Sequence, residues 1–165
     1  MNQNEFHNRR PTIIRQLLFS GLIIFGSFLK ASAQEYFQQR VNYNIQVTLN
    51  DKLHELNAFE TVNYTNNSPD TLRFLYFHLW PNGYSNNNTE LAKQLFNIQG
   101  KQKLFNDPEL KGYMDSLDFR IDNRKLRWNL LAGQPDICQV SLNKPLLPRD
   151  SIQITTPFMS KFPRE

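Results

Sequence analysis

The chain has 165 residues, a single cysteine, three histidines and a formal net charge of +4. One cysteine excludes an intrachain disulfide and any CxxC zinc site. Arg9, Arg10, Arg15 and Lys30 against Glu5 put three of the four net charges in the first 33 residues, so the remainder is nearly neutral. That distribution argues against nucleic-acid binding, which needs a basic patch on the folded part.

In chain order, the first feature is a secretory leader. Arg9, Arg10 and Arg15 form a positive segment, Leu17 to Leu29 is an apolar run of 13 residues, and Ala31-Ser32-Ala33 supplies a small-residue cleavage site. This pattern predicts a signal peptide over 1–33, cleaved after Ala33, and an exported chain, periplasmic or extracellular. The run is shorter than the roughly 20 apolar residues of a membrane span, so no stable span is expected after cleavage. The domain would then occupy 34–165.

Val41 to Leu49 alternates apolar and polar residues with a period of two, predicting a strand with one buried and one wet face. A turn at Asn50-Asp51-Lys52 leads to a second strand, Leu53 to Thr65. Leu56, Ala58, Val62 and Tyr64 share a face there. Glu60 falls on that face and Phe59 on the other, which a bulge near Phe59 would repair. After the Asn66–Asp70 turn, Thr71 to Trp80 is apolar on both faces and is expected to be a central strand. A polar loop follows Pro81. Asn87 with Glu90 marks a helix start, and Leu91, Leu95 and Ile98 fall on one face of a short helical insertion near 88–99 that Gly100 closes. Strands are expected again at Ser116–Ile121, Leu126–Leu130, Ile137–Leu142 and Ser151–Thr155, with Pro145 and Pro148 in a loop between the last two. Short strands with regularly spaced turns predict a mainly β domain, a β-sandwich.

Three segments carry a family resemblance: YFQQRVNYNIQVTLND, LNAFETVNYTNNSPDTLRFLYFHLWPNGY and GYMDSLDFRID. Together they resemble the N-terminal domain of exported M1-family zinc aminopeptidases of the Bacteroidota type, over about Tyr36 to Pro163. The block from Asn66 to Tyr84 is the most specific piece. The resemblance implies a saddle-shaped β-domain that packs on a catalytic domain, its partner. It also implies that zinc and the HExxH helix belong to that catalytic domain, with the chain as the opening piece of such an enzyme.

The residues themselves offer little chemistry. HExxH places two histidines one helical turn apart toward one zinc. His54-Glu55 begins such a motif, but Ala58 stands where the second His must be, and the segment reads as a strand. The expected setting of His54 is an exposed position near a turn. His78, among aromatics, is expected to be buried with one hydrogen bond, and His7 leaves with the leader. A catalytic zinc usually has three protein ligands, which these residues do not assemble. Asp115 and Asp118 are close enough in sequence for acid–base work but fit solvated strand-start positions better. Cys138, in an apolar strand pattern, reads as a buried structural thiol. Trp80, Tyr84 and Trp128 open an alternative, a stand-alone binding module that stacks sugar rings or holds a protein ligand. No catalytic, metal-ligating or cofactor-binding residue is therefore expected in this chain, and the fragment is expected to be inactive alone.

Overall fold

The structure is a computed structural model that describes residues 36–99 and 104–164. The expected leader lies outside the described residues, as does Gly100, the expected end of the helix. Phe37–Glu165 form one compact unit.

Its architecture is β-sandwich-like: two antiparallel sheets and one short helix. The larger sheet is built on three long strands, β1 (Arg40–Asn50), β2 (Glu55–Thr65) and β9 (Ser151–Lys161), in that spatial order. Beyond β9 lie short β4 (Tyr113–Asp115), β5 (Arg120–Ile121) and β6 (Arg124–Lys125). The smaller sheet has the order β3 (Leu72–His78), β8 (Gln134–Leu146), β7 (Trp128–Leu131). The helix α1 is Glu90–Gln99.

Register explains the core. β1, β2 and β9 pair without a shift, so rows of three side chains cross the large sheet: Val41-Tyr64-Ile152, Tyr43-Val62-Ile154, Ile45-Glu60-Thr156, Val47-Ala58-Phe158 and Leu49-Leu56-Ser160. Val62 and Ile154, from the second row, are buried against Leu75, Cys138 and Val140 of the smaller sheet. Phe119 and Leu126, flanking the β5–β6 turn, close the same core. The Phe119 ring packs at 4.8 Å on Phe77 and 6.0 Å on Trp128, reaching both outer strands of the small sheet.

Several elements differ from expectation. No bulge interrupts β2: the ladders run through Phe59 on both sides, and Glu60 stays on the core-side face. β1 has no buried face, since only Val41 is partly covered and the small sheet does not reach further along it. β3 is an edge strand, with β8 central. Phe74 and Tyr76 lie exposed on its outer face, ring against ring at 5.3 Å. Leu79 and Trp80 leave the strand for a 3-10 turn, Trp80–Tyr84. Only Arg120–Ile121 of the expected 116–121 strand is extended, because Ser116 turns the chain at φ 64° after β4. β8 and β9 run well past their expected ends. Pro145 lies inside β8 where its pairing with β3 shifts between Leu72 and Phe74, a place where a missing N–H costs no ladder bond. The helix cap is Thr89 rather than Asn87: its Oγ1 accepts from Ala92 N at 3.1 Å and donates to Gly83 O. Asn87 instead accepts from Phe105 N and donates to Asn106 Oδ1.

Candidate functional site

The block FHLWPNGY forms the junction at one end of the sandwich. Leu79 is buried and its N–H donates to Asp136 O at 2.7 Å, so β3 ends against the start of β8. Pro81 presets the φ of the 3-10 turn. Asn82 is buried inside the turn, where Nδ2 donates to Pro135 O (2.8 Å) and Oδ1 accepts from Met114 N (2.6 Å). One amide thus ties the turn to both β8 and β4. Gly83 lies against Leu91 of α1, and Gly112 is pinched between Lys161 O and Pro81 O, at 3.1 and 3.3 Å from where a Cβ would sit. This packing accounts for Leu79, Pro81, Asn82 and Gly83 of the block, while His78 and Trp80 stay exposed beside it.

Beside the junction a cleft of about 470 Å³ opens between the inner face of the large sheet and the β3 edge. Tyr43 and Glu60 line one wall, Tyr76, His78 and Trp80 the other, with Val62 and Phe119 below. Glu60 is half-buried, and burial raises its carboxyl above the ordinary 4.5. No ion pair or side-chain hydrogen bond reaches it from the described residues. Along β1 the apolar lining continues into open surface: Tyr43, Ile45, Val47 and Leu49 are 47–67% exposed.

The sequence-predicted candidates scatter. His78 is exposed rather than buried: Nε2 lies 3.0 Å from Asp136 Oδ2, and its ring meets Trp80 edge-on at 3.8 Å. His54 is half-buried rather than exposed, in a left-handed turn (φ 52°) that lets its carbonyl accept from Phe162 N. Cys138 is fully buried, and burial pushes its thiol up to about 11, so it is not a ready nucleophile. Asp118 is held below the ordinary carboxylate range, chiefly by hydrogen bonds from Arg120, while Lys125 lies 3.2 Å from its other oxygen. Asp115 accepts from Ser116 N and has no part in that cluster. Of the three aromatics considered for sugar stacking, Trp128 is half-buried on Phe119 and Tyr84 packs on Phe105, leaving Trp80 exposed. Among the described residues no group of three His, Cys, Asp or Glu side chains is arranged to hold a metal ion. No described helix is long and apolar enough to cross a membrane.

Neither a protein-family model nor a curated protein matches this chain. The feature sequence reasoning missed is Glu60. Its placement on an apolar face was the available signal, and a supposed bulge explained it away.

Proposed function

We propose that residues 34–165 form the non-catalytic N-terminal β-domain of an exported M1-like zinc metallopeptidase, an aminopeptidase. One observation supports this most: the inner face of the large sheet is only half covered. The three-stranded sheet seals Val62 and Ile154, and Thr156 and Ser160 of β9 are buried too, while the β1 side of the face, from Tyr43 to Leu49, lies open. An apolar face of this extent fits a surface that another folded domain covers. The exported aminopeptidase likeness in the Asn66–Tyr84 block supplies the identity of that domain, and the zinc and its ligands would belong there.

On this reading the chain binds its catalytic domain and performs no bond cleavage itself. The test has two parts. Translation of the gene downstream of codon 165 should give an HExxH with a distal Glu, in the same frame or a displaced one. The purified chain with added zinc should leave aminoacyl substrates intact. Unrelated sequence after a stop codon, or zinc-dependent release of the amino-acid leaving group, would overturn the reading.

A further inference from the structure

β1 is the outer strand of the large sheet, and no described strand pairs with its free edge. Natural edge strands are shielded by charges, proline, bulges or brevity. β1 has none of these between Val41 and Asn50. It is 11 residues long, unbulged, and carries neither a charged side chain nor proline nor glycine over that stretch. Its side chains are exposed on both faces.

The order of residues along β1 is self-complementary. Set two copies antiparallel about Ile45, so that paired numbers add to 90. Ile45 then faces Ile45, Tyr43 faces Val47, and Val41 faces Leu49, all on the apolar face. On the other face Asn44 meets Gln46 and Asn42 meets Thr48, amide against amide and amide against hydroxyl. Arg40, the strand's one charge, meets Asn50. Each contact joins like chemistry, and no like charges are opposed. Cross-strand pairs of this kind are what stabilise a sheet, and an isologous two-fold contact requires such self-complementarity.

We propose that two copies of this chain associate through β1, antiparallel about Ile45, joining their large sheets into one continuous sheet. The contact uses the edge of the sheet and does not rest on the peptidase reading, which concerns its face.

Sedimentation equilibrium of the full chain should show a concentration-dependent dimer, and Ile45→Lys should weaken it at least tenfold by setting two ammonium groups opposite each other. Ile45 makes no core contact, so the variant monomer should remain folded and melt in a single cooperative transition, its melting temperature no longer rising with protein concentration as a dimer's does. A cysteine scan fixes the register. Directly opposed residues lie about 4.5–5.5 Å apart between Cα atoms, within the range of a disulfide. Ile45→Cys should therefore cross-link to itself under mild oxidation. Tyr43→Cys, about 13 Å from its own copy, should cross-link only when mixed with Val47→Cys. The buried Cys138 should stay silent, as the parent chain run alongside will show. A monomer at every concentration, a dimer indifferent to Ile45→Lys, open-ended assemblies, or equal self-cross-linking at 43, 45 and 47 would each overturn the proposal.

Discussion

Asn66 is fully buried, yet each of its polar groups is satisfied. Its Nδ2 donates to Asp70 O at 2.7 Å and Leu146 O at 3.2 Å. Its Oδ1 accepts from the Ser68 N–H and hydroxyl and from Gln39. Its backbone N–H and C=O bond the β8–β9 turn at Asp150 and Arg149. One residue of the β2–β3 turn thereby holds the end of β8 through its side chain and the β8–β9 turn through its backbone. Asn66→Ala takes the amide from the buried Leu146 carbonyl and the buried Ser68 N–H, while the Asp70 carbonyl keeps the Ser68 hydroxyl, and each buried loss costs about 1–3 kcal/mol. Urea unfolding should show a stability loss of about 3 kcal/mol with an unchanged denaturant slope, since the exposed area is the same. A loss below about 1 kcal/mol would mean water takes over the role of the amide. The sequence marks this segment as a turn. It does not show that Asn66 is the buried hub, because the partners that bury it at Leu146, Arg149 and Asp150 are 80 or more residues away.

At the scale of elements, Glu60 tests whether the inner face of β2 has a cost. Its folded-state pKa is raised, so the native state holds the proton more tightly than the unfolded chain. Stability is therefore greatest with Glu60 protonated and declines as pH rises from about 4.5 through the raised value. Asp118 has the opposite sign: its contribution is present above 3.8 and is lost as pH falls through its lowered value. Glu60→Gln should remove the decline, so melting temperatures at pH 4.5 and pH 7.5 should lie closer together than in the parent, with the variant the more stable at pH 7.5. If the parent shows no such decline, Glu60 is solvated and the face is wetter than its apolar rows suggest.

The same strands show what period two can and cannot reveal. Alternation located β1 and β2 nearly to the residue, because it follows from the pleat itself. It could not tell that the partner sheet covers only two or three rows, which depends on the length and placement of the small sheet. β3 was misplaced for a related reason. Leu72, Phe74 and Tyr76 against Leu75 and Phe77 look like a strand covered twice, yet the outer rings rest on each other in solvent. Proline also fits inside β8 and β9 wherever an edge lacks a ladder, so the expected loop at Pro145 is strand instead. Pro157 sits in β9 between its pairing with β5 at Thr155 and with β4 from Met159, where that edge of the strand carries no ladder.

For the folded unit as a whole, the question is what makes two sheets of unequal size unfold together. Only part of the large sheet is sealed, and its outer strand contributes little to the core. Phe119 bridges the two sheets. It precedes β5 in the large sheet and its ring fills the space between Phe77 of β3 and Trp128 of β7. At 1% exposure it is among the most deeply buried large side chains of the described residues. Truncation to alanine should cost about 3–5 kcal/mol, the range for a buried phenylalanine. That is a large share of the 5–15 kcal/mol that holds a typical domain folded. Tryptophan fluorescence senses the small sheet through Trp128 and its edge through Trp80, while far-UV circular dichroism is dominated by the long strands of the large one. In the parent the two transitions should coincide, as a single cooperative unit requires. In Phe119→Ala both should move to lower denaturant together. If fluorescence changes first while the long strands persist, the large sheet stands without its cover, and cooperativity resides in the β1–β2–β9 ladders instead of the core between the sheets.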